Sequence, residues 1–321
     1  MIDNARKDLI MLLDIPSNYQ VLFMQGGATT QFASLVYNLL NDGKKADYIV
    51  TGTWSEKAAK EAVRLGASVN IVSESGPDYT HLAPFKQFSP DASYIYYCDN
   101  ETVHGVEMAT DFVDLLPVDI PIVCDASSNL LSRKMNINRY GVVFGGAQKN
   151  MGPAGVTIVI VRDDLIRDKD AGAFVGPVML DYKTHADSKS LYNTPPTFSI
   201  YVTGLVFKWA LELGGIQALE KRNKEKSQLL YSTMSKYPAI YKACVQEKYQ
   251  SRINIPFRIL SDGVPSKELE AAFLKCSEKH GLIQLKGHRS VGGIRASLYN
   301  AMPIEGVQAL VAYMESFAKQ Q

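Results

Sequence analysis

The chain has 321 residues, 46% of them hydrophobic, 21% charged and 10% aromatic. That mixture supports a substantial buried core and excludes a disordered or fibrous chain. Lys and Arg number 34 against 33 Asp and Glu, a net charge of +1, so no global field draws the molecule to nucleic acid or an anionic membrane and any anion site must be local.

The opening stretch, MIDNARKDLIMLLDIP, mixes acidic residues with spaced apolar ones and reads as an amphipathic helix, not a signal peptide. Short β-like runs then alternate with helical ones. Gln20–Met24 (QVLFM) leads through a Gly turn into the helix-like ATTQFASLVYNLLND, which ends at Asp42. DYIV precedes SEKAAKEAVRLG, where Ser55 has the character of an N-cap and Gly66 of a C-terminal stop. SVNIV, SYIYYC, PIVCD, GVVFGG and VTIVIV follow, each ending near Gly, Asp or Asn. Continuous apolar strands separated by helices predict an α/β fold with a mostly parallel sheet covered on both faces. Such sheets bind ligands at the carboxyl ends of their strands.

The most apolar stretch, Val156 to Val161, falls far short of the ~20 residues a membrane span needs. Cys98, Cys124, Cys244 and Cys276 lie far apart with no C-x-x-C pair, and read as small hydrophobes of a protein in the reducing cytoplasm. Past Gly214 the texture changes. A long polar helix, IQALEKRNKEKSQLLYSTM, precedes strand-like SRINIPFRI, the helix KELEAAFLKCSEKHG, strand-like LIQLKG and IRASLY, and a last helix from Pro303. At ~100–200 residues per domain this divides the chain into a large domain over 1–216 and a smaller α/β domain over 217–321.

The strand exits collect the polar residues of interest. Gly26–Thr30, between a strand and a helix, is either a plain tight turn or a phosphate cradle at a helix N-terminus; it is neither a Walker A loop nor G-x-G-x-x-G. Trp54 is either rim packing or a stacking platform. Asp125, after PIVC, is either a loop hydrogen-bonder or a functional carboxylate. Lys149, after VVFGGAQ and before Asn-Met-Gly-Pro, is unusual, because lysines normally sit on solvated faces. Schiff-base chemistry wants a lysine so placed, partly buried and able to deprotonate. Asp125 and Lys149 stand 24 residues apart with one β-run between them, on neighbouring strand exits. Together with an aromatic face and a phosphate cradle, the pair matches the needs of pyridoxal phosphate: a lysine for the imine and a carboxylate that keeps the ring nitrogen protonated. The five histidines show no metal-ligand spacing.

Three strings extend this reading: Cys124-Asp125-Ala126-Ser127-Ser128-Asn129, then GVVFGGAQKNMGPAGVTIVIVRDDL, then GHRSVGGIRASLYNAM. They resemble the phosphoserine aminotransferases of the class V, fold-type I pyridoxal-phosphate enzymes, and the resemblance runs from Ile15 to the end. It implies that Lys149 is the Schiff-base lysine and Asp125 the partner of the pyridine nitrogen. Trp54 would stack on the ring, Thr102 would contact its O3′ side, and Ala28, Thr29 and Gln148 would hold its phosphate. Asn193 and Thr194, within LYNTPPTF, would reach that phosphate from the other subunit of a homodimer. His288 and Arg289 would bind the substrate phosphate or the glutamate side chain, and Arg295 the α-carboxylate; on residue type alone these three could equally be surface charge.

The implied reaction transfers an amino group between O-phosphoserine and 2-oxoglutarate. Rivals within the class are an alanine–glyoxylate aminotransferase and a cysteine desulfurase, and a catalytically impaired relative keeping only the fold is a third. In the family an N-terminal arm carries a further His-Arg pair across the dimer. The chain starts after the point where that arm would lie, so the resemblance implies a phosphate pocket with only His288 and Arg289 and weaker phosphoserine binding.

Overall fold

The computed structural model describes residues 1–41, 43–167 and 175–321. Among them are eight α-helices: α1 Ile2–Leu13, α2 Gly27–Leu39, α3 Thr53–Arg64, α4 Tyr182–Asp187, α5 Thr197–Glu212, α6 Gly215–Lys236, α7 Lys267–Lys279 and α8 Ile304–Ala318. The large sheet has seven strands: β1 Tyr19–Met24, β2 Lys45–Val50, β3 Ser68–Glu74, β4 Ile95–Cys98, β5 Ile122–Asp125, β6 Val142–Gly146 and β7 Thr157–Arg162. Their order is β1-β7-β6-β5-β4-β2-β3. The pairs β2/β3, β2/β4, β4/β5 and β5/β6 are parallel, and β7 runs against both of its neighbours. The carboxyl ends of β1, β2, β4, β5 and β6 therefore share one edge.

The strands read as unbroken apolar runs because each feeds two cores. Alternate residues point to opposite faces of a sheet. Val21 and Phe23 of β1, Ile122 and Cys124 of β5, and Ile158 and Ile160 of β7 pack with α1 and α5. Leu22 and Met24, Val123, and Val159 and Val161 pack on the other face with α2 and α3. No helix among the described residues is long and apolar enough to cross a membrane.

The remaining strands, β8 Tyr241–Ala243, β9 Asn254–Ser261, β10 Val264–Pro265 and β11 Ile294–Ser297, form an antiparallel sheet around β9. Phe257 and Ile259 of β9 enclose a third core with Phe273 of α7, Met314 and Phe317 of α8, and Leu230 of α6. Helix α6 belongs to both bodies, since its Ile216 and Leu219 pack into the large core.

Three details differ from the expectations. Ser55 is not the N-cap of α3; the helix starts three residues earlier, behind Gly52, and Ser55 occupies its third position. Helix α2 ends at Leu39, because Leu40 turns extended at φ −59° and ψ 129°; its predicted end at Asp42 lies outside the described residues. LIQLKG forms no strand: Gln284 takes a positive φ of 61°, which breaks an extended run, and only Lys286 bridges to Ile294. Gly66 does end α3, with φ 93°.

Candidate active site

Lys149 stands on a tight turn at the end of β6, closed by Met151 and Gly152 amides donating to the Ala147 carbonyl at 3.0 and 2.8 Å. Its half-buried side chain donates from Nζ to Thr102 Oγ1 at 2.5 Å, and Nζ lies 5.4 Å from the centroid of the Trp54 ring. Burial lowers the lysine pKa, the carboxylates of Asp125 and Glu101 oppose that shift, and Arg295 adds to it.

Asp125 ends β5 at 2% exposure. Its Oδ1 accepts from the Ser127 amide at 2.9 Å and its Oδ2 from the Tyr96 hydroxyl at 3.3 Å. Burial raises its pKa, while the Ser127 hydrogen bonds and the Lys149 charge pull it back. A carboxylate so enclosed is costly unless a positive or donating group meets it.

Gly26–Thr30 turns the chain from β1 into the start of α2. Gly26, at φ 96°, is the N-cap of α2 and offers no side-chain cap, which leaves the Ala28 and Thr29 amides of the first turn to meet an anion. The Gly27 amide donates to Thr157 Oγ1 at 2.8 Å. Thr157 pairs with both Met24 of β1 and Gly146 of β6, which places the helix start beside Gln148. The Gln148 side chain folds back over Gly146, so that an added Cβ there would lie 2.5 Å from Gln148 Oε1.

The smaller sheet supplies cations. Arg295 of β11 reaches the segment after β4, where its Nη1 donates to the Thr102 carbonyl at 3.3 Å. His288 and Arg289 sit on a loop closed by the Gly287 amide on the Gly293 carbonyl at 2.9 Å and the Gly292 amide on the His288 carbonyl at 2.8 Å. Burial lowers the His288 pKa, and the charges of Arg295, Arg289 and Lys57 lower it further. His104, held down to about 4 by burial first, feels His288 as well. Lys57 and Lys149 lie over the Trp54 ring, and the charges of Arg295 and Lys57 reach His288. Asn193 and Thr194 are exposed, between α4 and α5, and make no described contact with this group.

Three neighbours carry roles that the sequence reading did not assign. Tyr96, buried inside β4, backs Asp125. Glu101 accepts from the Trp54 and Ser55 amides. His104 Nδ1 accepts from the Thr53 amide at 3.4 Å. The one sequence signal for the last two is Gly52, a helix cap with no side chain, which calls for acceptors from elsewhere.

The arrangement fits pyridoxal phosphate. It offers a lysine of lowered pKa over an indole, a buried carboxylate one strand away and an uncapped helix start. Thr51 Oγ1 and Trp54 Nε1 are also buried with no hydrogen-bond partner, polar capacity that the protein itself leaves unused.

Comparison with known proteins agrees. The family model described as aminotransferase class-V matches residues 1–310. Phosphoserine aminotransferase 1, chloroplastic, of Arabidopsis thaliana is 47% identical over 320 residues, covering 99% of this chain and 72% of that protein. The solved phosphoserine aminotransferase of Bacillus circulans subsp. alkalophilus is 41% identical at a TM-score of 0.92, over 99% of this chain and 86% of that one. The PLP-bound phosphoserine aminotransferase of Trichomonas vaginalis is 38% identical at 0.90, over 98% and 87%. With a lysine, a carboxylate, an indole and a helix start converging on one sheet edge, and with these likenesses over nearly its whole length, the chain belongs to the class V aminotransferase family.

Proposed function

We propose that this protein is a pyridoxal-phosphate-dependent transaminase. It moves an amino group between O-phospho-L-serine and 2-oxoglutarate, giving 3-phosphohydroxypyruvate and L-glutamate, in the phosphorylated route to serine. One observation carries the reading: Lys149 and Arg295, from two domains, meet on the same residue, Thr102. A base and a carboxylate-binding fork then face one small space. The phosphoserine aminotransferases named above support the choice of substrate.

When bound, the cofactor supplies an aldehyde that amines can occupy and a ring that delocalises the charge left on the substrate α-carbon. The chain does the rest. Trp54 would stack on the cofactor ring, Asp125 would keep the ring nitrogen protonated, Thr102 would contact the ring hydroxyl, and the Ala28 and Thr29 amides and Gln148 would hold the phosphate. Lys149, whose burial favours the neutral amine, takes the proton from the substrate α-carbon and returns it as general acid. Arg295 orients the α-carboxylate, and His288 and Arg289 neutralise the substrate phosphate or the distal carboxylate of glutamate.

We read the chain as a large domain over 1–216 and a small one over 217–321, supported by the separate core around Phe257 and Phe273. We read the assembly as a homodimer in which Asn193 and Thr194 serve the partner's cofactor phosphate; their exposure supports this. Four unpaired cysteines support a reducing compartment, which we take as the cytoplasm.

The test is an amino-transfer assay on the purified protein with phosphoserine and 2-oxoglutarate, run beside alanine and glyoxylate. Glutamate formation from phosphoserine at the higher kcat/KM is expected. Faster turnover of the alanine–glyoxylate pair would replace the substrate assignment.

A further inference from the structure

Glu101 is fully buried, and among the described residues no ion pair neutralises it. Its Oε1 accepts from the Ser55 amide at 2.8 Å and from Ser55 Oγ at 2.6 Å, and its Oε2 accepts from the Trp54 amide at 3.0 Å. These donors are the first turn of α3, whose own cap, Gly52, has nothing to offer. The glycine is there to admit the carboxylate: a Cβ on Gly52 would lie 2.4 Å from Glu101 Cδ. The backbone of Glu101 is equally fixed, its amide donating to the Val106 carbonyl at 2.8 Å and its carbonyl accepting from the Gly105 amide at 2.7 Å. The next residue is Thr102, which accepts from Lys149 through its hydroxyl and from Arg295 through its carbonyl.

A buried carboxylate is expensive, and an ordinary helix cap needs none; an exposed Ser or Asp at the N-cap would serve α3 alone. What a local cap could not do is tie the helix start to the segment that holds the lysine. We propose that Glu101 is a positioning residue for the transamination, which sets the gap between the Trp54 indole and Lys149 by joining the start of α3 to Thr102. Its negative charge at the positive end of α3 makes the tie stiff.

The inference rests on the aminotransferase reading for its kinetic arm only, because its first arm needs no cofactor. Trp54 is one of two tryptophans, so Trp209→Phe leaves its fluorescence alone to report on the indole. In that background Glu101→Gln keeps the shape, removes the charge and turns one acceptor into a donor against a backbone amide. The expected result in the cofactor-free protein is a shifted Trp54 emission and at least about twofold greater quenching by acrylamide. In the loaded enzyme kcat falls about tenfold with the KM for phosphoserine changed less than twofold, and Glu101→Asp recovers part of both. A fold-supporting cap alone would lower the melting temperature and leave emission and kcat untouched at 25 °C; that outcome overturns the proposal. If Glu101→Gln does not fold, Ser55→Ala, which removes one of the three donors, takes its place: a smaller shift in the same direction sustains the proposal, and unchanged emission and quenching overturn it. A shifted emission in a protein inactive towards phosphoserine would fault the substrate assignment and leave the positioning role standing.

Discussion

Lys149 and Lys226 both carry a buried ammonium, but Lys226 donates to three carbonyls, of Leu298, Tyr299 and Met302, whereas Lys149 donates to the Thr102 hydroxyl. Burial disfavours the ammonium, and the nearby negative groups restore only part of what water would give. The consequence is an amine that loses its proton more readily than an exposed lysine, held by one hydroxyl and faced by one indole. Lys149→Ala removes that amine, and the loss expected is at least about 100- to 10,000-fold in kcat, the span of a positioned general acid–base. Borohydride should then leave no cofactor covalently attached to the chain; attachment together with a near-normal rate would assign the role to another amine. Arg289 is a different case. It is exposed on a loop, so its removal touches the substrate and not the fold. A lost charge-assisted contact of ~1.5–3 kcal/mol makes Arg289→Leu about ten- to hundredfold worse in kcat/KM for phosphoserine. The visible spectrum of the loaded enzyme should not move. Equal damage to spectrum and kinetics would make Arg289 structural.

At the scale of elements, the loop between Lys286 and Ile294 shows how backbone places a charge. Gly287 approaches the far side of its own loop so closely that a Cβ there would lie 2.0 Å from the Gly292 carbonyl oxygen. Backbone on both sides leaves nothing soft to yield, so Gly287→Ala must open the loop and swing His288 and Arg289 away. An increase of about tenfold in the KM for phosphoserine is expected, the size of one charge-assisted contact. Cofactor retention, measured by absorbance after gel filtration, should be unchanged; a normal KM would show that the loop tolerates opening or that its cations lie outside the pocket.

The same loop marks the limit of what the sequence made legible. Strands such as VTIVIV could be read because burial on both faces leaves an unbroken apolar run, and Lys149 and Asp125 stood out because a charge at the end of such a run has no ordinary reason to be there. The G-H-R-S neighbourhood could be read only by resemblance, since a cation on a loop looks like any surface cation until the segment it faces is in place. LIQLKG misled because its apolar alternation is real while Gln284 reverses the backbone inside it. Ser55 misled because a serine before a charged helical run is the usual cap, whereas here the cap comes from Glu101, 46 residues on. Tyr96 behind Asp125 was hidden in a strand where an aromatic needs no explanation. Pairing across the sheet is a long-range fact, and local pattern does not contain it.

For the whole molecule, the question is what covers α5. Its inner side packs on α1, where a Cβ on Gly204 would lie 3.2 Å from Ala5 Cβ. Its outer side carries Phe198, Tyr201 and Leu205, 73%, 49% and 48% exposed, at the spacing of one helical stripe. Leu191 and Tyr192, 52% and 53% exposed, precede Asn193 and Thr194 and extend the apolar surface towards them. A stripe of this kind fits the proposed homodimer as its contact face, where a two-fold axis would use every residue twice. Withdrawing one aromatic side chain from such a face costs about 1.5–3 kcal/mol per subunit. Phe198→Glu is therefore expected to raise the dimer dissociation constant by roughly 100- to 10,000-fold, because ~1.4 kcal/mol is tenfold and the change occurs twice. Sedimentation velocity across a dilution series checks this. If Asn193 and Thr194 serve the opposite subunit, cofactor affinity must fall along the same dilution curve as the dimer fraction. A Phe198→Glu monomer that holds cofactor as tightly as the parent would confine Asn193 and Thr194 to their own subunit. A parent chain already monomeric at micromolar concentration would remove the stripe from the dimer face altogether.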